Sequence, residues 1–327
     1  MRPLFFWPAM ISTMKWLRYL AYGLSGLVAV GAVAFLVGAW VYRDIPSGVL
    51  EARYTTPASK FLNVDGVRIH YRDEGSGPPL VLIHANFASL LSWDGWVDAL
   101  KGSHRVLRFD MTGHGLTGPD PSGDYSLERT VKLTERFVDA LGLTRFSIGG
   151  TSLGGTVAMH YTAAHPERVE RLILLSPGAL EGRSMQRTGR SVPGIANLLE
   201  FITPRALARY MLTSRFGDPG KVDDKLVDQW YDMWLREGQR AAILARLRSY
   251  SSVDLGKVTA AVHVPTLILW GEKNPQAPVE QAEELRKMLV NAPKVKVITY
   301  PGVGHMAADE AGPQIARDVQ AYLDSPD

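Results

Sequence analysis

The chain has 327 residues, with 36 Lys and Arg against 33 Asp and Glu, no cysteine, and a formal net charge of +3 at pH 7. Four of the basic side chains and none of the acids fall in residues 1–43. The remainder is close to neutral, at −1, which argues against a nucleic-acid partner. Without cysteine no disulfide framework is possible, and no internal repeat or low-complexity run occurs.

Residues 1–18 read as a short tail. Met14-Lys-Trp-Leu-Arg18 within it resembles a natural start, which would leave residues 1–13 outside the natural protein. Tyr19 to Tyr42 then runs for 24 positions without a charge. As a helix it spans about 36 Å, enough to cross a hydrocarbon core of about 30 Å. Lys15, Arg18 and Arg43 flank it, and Trp16, Tyr19, Trp40 and Tyr42 stand where interfacial aromatics belong. A buried core helix should show a polar face, and this one shows none. The apolar run continues past the cleavage-like Ala32-Val33-Ala34, so a retained single-pass membrane anchor over 19–42 is expected. Lys and Arg nearly balance across the span. A short tail before a large domain points to the non-cytoplasmic side for that domain, a compartment that the lack of cysteine fits.

Residues 43–60 have the Pro, Ser and Thr content of a linker, leaving one domain of about 265 residues, large enough for a full core. Phe61-Leu-Asn-Val64 and Val67-Arg-Ile-His-Tyr71 around Asp65-Gly66 predict an edge hairpin. Apolar runs at 80–84, 104–110, 145–149, 171–176, 265–270 and 295–300 predict buried strands, with helices over 127–141 and 153–164. That alternation predicts an α/β fold: a mostly parallel sheet with helices on both faces. The core divides into 61–177 and 263–327, and between them, over 178–262, the strand–helix rhythm stops.

Gly150-Thr151-Ser152-Leu153-Gly154 reads as a sharp strand-to-helix turn with a serine at its tip. A serine there needs a strained backbone, often with φ > 0, and small neighbours two places either side so that strand and helix can approach.

These motifs together resemble the α/β-hydrolase family: the strand ending at His84, Asp110 with Gly113-His114-Gly115, the turn at Ser152, and Ala164-His165-Pro166-Glu167-Arg168-Val169. Later in the chain come Trp270-Gly271-Glu272-Lys273 and Pro301-Gly302-Val303-Gly304-His305. The resemblance covers roughly 60 to 324. It implies Ser152 as nucleophile, His305 as general base, and the backbone N–H groups of Leu153 and Asn86 as oxyanion donors. It also implies a helical cap over 178–262, and neither cofactor nor metal. His84, His114 and His165 match positions that organise turns and helix ends. Ser152 argues against epoxide hydrolases and haloalkane dehalogenases, which use an aspartate nucleophile.

Two departures stand out. The usual His-Gly dipeptide is His84-Ala85, which adds a methyl group where the backbone turns. Asn274 stands where the family's triad aspartate is expected. An amide can hold an imidazole but cannot stabilise the imidazolium by charge, and it can favour the wrong tautomer. Three readings remain: another carboxylate substitutes, with Glu181 and Glu272 as candidates; a Ser–His–Asn site works slowly on activated esters; or hydrolysis is lost and a binding pocket kept. The resemblance implies a serine hydrolase acting on a small-molecule carboxylic ester with an apolar acyl part, and the apolar span makes it a membrane-anchored one. A C–C bond hydrolase and a catalytically impaired binding or scaffold protein are the alternatives. The excess of Arg in the first half of the insertion (183, 187, 190, 205, 209 and 215) suggests a solvated face or one resting on anionic lipid.

Overall fold

The structure, a computed structural model, describes residues 8–178, 192–249 and 254–326. It divides into two units, Met1–Arg43 and Asp44–Asp327. The described residues of the first form the helix α1 (Pro8–Val41). Its stretch Lys15–Val41 has 27 residues, a mean hydropathy of 2.2 and no buried position, so it is long and apolar enough to cross a membrane.

The second unit opens with α2 (Ser47–Tyr54) and continues with β1 (Ser59–Val64), β2 (Val67–Glu74), β3 (Pro79–Ile83), α3 (Asp94–Leu100) and β4 (Arg105–Phe109). Next come α4 (Leu127–Ala140), β5 (Phe146–Thr151), α5 (Leu153–Ala164) and β6 (Val169–Leu175). A helical stretch follows, with α6 (Arg205–Thr213), α7 (Asp224–Trp234) and α8 (Gln239–Arg248). The chain returns through α9 (Leu255–Ala260), β7 (Thr266–Gly271), α10 (Glu280–Met288), β8 (Val295–Tyr300), α11 (Ala307–Glu310) and α12 (Gly312–Leu323).

The eight strands form one sheet in the order β1-β2-β4-β3-β5-β6-β7-β8. β1 and β2 pair antiparallel at one edge, as the Asp65-Gly66 hairpin predicts; Asp65 and Gly66 both have positive φ. From β4 to β8 every pairing is parallel. The central strands are buried over most of their length because helices cover both faces. On one face Phe137 of α4 and Val157 and Met159 of α5 pack against Val81, Ile148 and Ile268. On the other, Trp93, Trp96, Ile315 and Val319 pack against Leu80, Leu82 and Leu267. The consequence for function is that the loops leaving β3, β5, β7 and β8 open on the same end of the sheet.

Residues 43–60 do not form the free linker that their composition suggests. Asp44 pairs with Arg240 at 2.7 Å, Ile45 N–H donates to Leu235 O at 2.7 Å, and Glu237 N–H donates to Ile45 O at 3.0 Å. In α2, Leu50 is fully buried with Leu90, Leu91, Leu116 and Met233, and Tyr54 donates to Asp232 at 2.7 Å. One buried leucine in eight residues is too little periodicity to outweigh the Pro, Ser and Thr around it. Leu50→Ala should therefore cost about 2–5 kcal/mol, read as a loss of thermal stability of the whole domain. A melting point equal to wild type would return this segment to a linker.

Candidate active site

Ser152 lies at the junction of β5 and α5 with φ 51° and ψ −120°, a conformation that L-residues avoid. The surroundings enforce it. A Cβ on Gly150 would meet Gly154 O at 2.2 Å, and one on Gly154 would meet Ile83 O at 2.1 Å, so neither position admits a side chain. Ser152 N–H donates to Leu175 O at 3.1 Å, tying the turn to β6. Leu153 N–H heads α5, where a helix leaves its first donors unpaired.

His305 follows β8 and is buried. Its Nε2 is 3.1 Å from Ser152 Oγ and its Nδ1 is 3.2 Å from Asn274 Oδ1. Its own N–H donates to Arg215 O at 2.7 Å, so the helical stretch fixes the backbone of the loop. Gly304 is required there, because a Cβ would meet Arg215 O at 2.3 Å. Burial, and then the Arg215 guanidinium, push His305 down to about 3, so the ring is neutral across the physiological range.

Asn274 is buried and is not free to turn. Its Oδ1 accepts from Gln276 N–H at 2.9 Å and Ala277 N–H at 3.1 Å, an Asx-type turn, while its Nδ2 has no hydrogen-bond partner. The oxygen therefore faces His305, which must carry its proton on Nδ1 and leave Nε2 as acceptor for Ser152. The wrong tautomer that an amide can select is avoided here. Glu272 is exposed and accepts from Thr299 Oγ1 at 2.8 Å, away from the imidazole. Glu181, with Arg183, Arg187 and Arg190, lies outside the described residues.

The loop after β3 is held by buried histidines. His84 donates from Nδ1 to Ala85 O at 2.7 Å and accepts Met111 N–H at 3.0 Å. His114 donates to Thr112 O at 3.0 Å and accepts Phe87 N–H at 3.1 Å. Burial lowers both, so both stay neutral, as their acceptor roles require. Among the described residues the Asn86 N–H has no acceptor. Ala85 is unstrained; the positive φ of this loop falls on Phe87, at 66°, and the Ala85 methyl packs against the helical stretch. His70 is buried, with its Nδ1 2.7 Å from Asp110 Oδ2.

Three residues at the site carried no motif. Glu310 accepts from Gly304 N–H at 2.7 Å, Gly217 N–H at 2.9 Å and Asp218 N–H at 2.8 Å, locking the His305 loop to the helical stretch. Gln276, in the amide orientation that satisfies both its groups, donates to His305 Nε2 at 3.0 Å and accepts from Arg215 Nε at 3.2 Å and Nη2 at 3.3 Å. A Gln two places after Asn274 was the only available signal, and nothing marked Arg215 among its neighbours. Above this, Trp230, Trp234, Phe216 and Leu212 pack with Ala85, Ala88 and Met306, and Trp234 Nε1 donates to Phe87 O at 2.8 Å. Among the described residues no cluster of ligating side chains suits a metal ion.

A hydroxyl beside a neutral imidazole, with two backbone N–H groups close by in sequence to the serine turn and to the β3 loop, is an arrangement suited to acyl transfer. A family model described as alpha/beta hydrolase fold matches residues 78–200, and one described as TAP-like protein matches 246–327. The chain has the α/β-hydrolase fold, and what it resembles are hydrolases of that fold. It is 29% identical over 244 residues to pimeloyl-[acyl-carrier protein] methyl ester esterase of Nitrosomonas europaea, covering 72% of this chain and 92% of that one. It is 25% identical over 287 residues to 2-hydroxy-6-oxo-6-(2'-aminophenyl)hexa-2,4-dienoic acid hydrolase of Metapseudomonas resinovorans, covering 84% and 94%. The crystal structure of a serine hydrolase involved in carbazole degradation superposes with a TM-score of 0.68 at 26% identity, covering 81% of this chain and 98% of that one.

Proposed function

We propose that the protein is a serine hydrolase of carboxylic esters with an apolar acyl part, held at a membrane by α1. The observation that carries this reading is the Ser152 Oγ to His305 Nε2 contact at 3.1 Å; burial keeps the ring neutral, so that Nε2 can accept the serine proton. Ser152 attacks the ester carbon while its proton passes to Nε2; the alkoxide leaves with that proton; water then cleaves the acyl-enzyme by the reverse roles. The N–H groups of Leu153 and Asn86 receive the oxyanion. Asn274 takes the place of the acid: it orients the ring but adds no charge, so turnover is slow and favours activated esters. The helical stretch between β6 and β7 serves as the cap, and its aromatic residues over the β3 loop support an apolar acyl site.

The ester reading agrees with the esterase relative. The dienoic acid hydrolase relative keeps C–C bond cleavage as the second reading, on the same Ser152 and His305.

Ser152→Ala should abolish hydrolysis of p-nitrophenyl butyrate with no change in melting. Asn274→Asp should raise kcat/KM at neutral pH by at least about tenfold, because a carboxylate stabilises the imidazolium that the amide cannot. Activity persisting in the first variant would remove Ser152 from the reaction, and no gain in the second would mean that Asn274 is not what limits it. On cell fractionation the full-length chain should stay with membranes through alkaline carbonate washing. Full-length protein in the soluble fraction would end the anchor reading, and a shortened amino terminus would show a cleaved signal.

A further inference from the structure

We propose that Arg215 and Gln276 are positioning residues that set the protonation of His305, adding control of the tautomer at Nε2 to that which Asn274 gives at Nδ1. The argument is one of donors and acceptors. A guanidinium can only donate. The group of Gln276 that faces Arg215 Nε and Nη2 must therefore be the amide oxygen, which turns the amide NH2 towards His305 Nε2, at 3.0 Å. A nitrogen that meets an N–H donor must offer a lone pair, so Nε2 is unprotonated, its one lone pair shared between the Gln276 N–H and the Ser152 hydroxyl at 3.1 Å, and the ring proton sits on Nδ1.

The opposite edge of the ring gives the same answer independently. Asn274 Oδ1 is pinned by two backbone N–H groups and can only accept. The tripeptide Asn274-Pro275-Gln276 thus grips the imidazole on both nitrogens, with polarity dictated at one end by Arg215 and at the other by the backbone. The buried Asn274 Nδ2 without a partner shows that the orientation holds at the expense of a hydrogen bond.

The grip has a cost for catalysis. When Nε2 takes the serine proton, it faces the Gln276 N–H and the Arg215 charge, both of which oppose a cationic ring. The carboxylates of the described residues around the loop are engaged elsewhere. Glu310 is committed to three backbone N–H groups, Asp309 stands beside Ser92 and Trp230, Asp218 heads a turn at Gly220, and Lys273 is exposed on the β7 loop. The site is built to hold a weak, neutral base in the productive tautomer.

This inference rests on Ser152 and His305 being the reacting pair, but its first test does not require turnover. In the full chain with 15N-labelled histidine, in detergent, the His305 ring resonances are identified by their loss in His305→Gln. They should show an Nδ1-protonated neutral ring from pH 8 down to at least pH 5. Gln276→Glu puts an acceptor where a donor stood, and Arg215→Met releases the Gln276 amide and removes the charge. Each should raise the His305 titration midpoint by one pH unit or more and move the acidic limb of kcat/KM for p-nitrophenyl butyrate with it. A wild-type ring protonated on Nε2, or a midpoint unmoved in both variants while melting stays near wild type, overturns the proposal. The predicted tautomer in a protein that hydrolyses no ester would leave it standing and remove the function above instead.

Discussion

The site depends on the close approach of α5 to the ends of β3 and β5. Gly150, Gly154 and Gly155 let the helix start against Ile83 and Pro177, and that contact forces Ser152 into a positive φ. The strain is held by the parallel sheet, which anchors the turn through Leu175 on one side and buries β5 completely on the other. Strain of this kind costs of order 1–3 kcal/mol and survives only where the surroundings leave no alternative. Its return is a hydroxyl presented at the end of the sheet on which the β8 loop places His305.

The histidines described around that hydroxyl are neutral, and two arginines bear on them. His84, His114 and His305 are all held uncharged by burial, and each has a backbone or side-chain donor aimed at its acceptor nitrogen. Arg246 of α8 is buried beneath them, donating to Thr112 and Tyr125 carbonyls, and burial lowers it to about 10. Its charge presses the two structural histidines further toward neutrality. Arg215 acts likewise on His305. The helical stretch between β6 and β7 thus shapes the chemistry as well as covering it, through two arginines on different segments. The arginines it carries at 205 and 209 are a different matter: they are spent on Asp224 and Asp228 within the stretch itself.

Most of the core was legible because buried parallel strands must be continuous apolar runs, and those runs mark β3 to β8 with errors of a residue or two at their ends. The turn at Ser152 was legible because its glycines are demanded by backbone contacts, which leave no choice of residue. His305 was found by its place after the last strand. What the sequence hid were interactions between segments far apart in the chain. The packing of α2 depends on Leu50 meeting Leu90 and Met233. The Glu310 link to Gly217 joins residues whose neighbours give no motif. Asn274 could be read as a lost acid, but not as an amide whose rotation is blocked by the N–H groups of Gln276 and Ala277. Gln276 and Arg215 were invisible for the same reason, since a donor–acceptor relay has no spacing rule.

The central claim is that Ser152 is a nucleophile activated by an uncharged His305 whose Nδ1 is held by the Asn274 amide. The most direct measurement is intact-mass and peptide mass spectrometry of the full-length protein after exposure to a fluorophosphonate probe near neutral pH. The account predicts a single covalent adduct, on Ser152, formed slowly and lost in His305→Gln. An unlabelled Ser152 in folded protein, or labelling at an unchanged rate without His305, would contradict it.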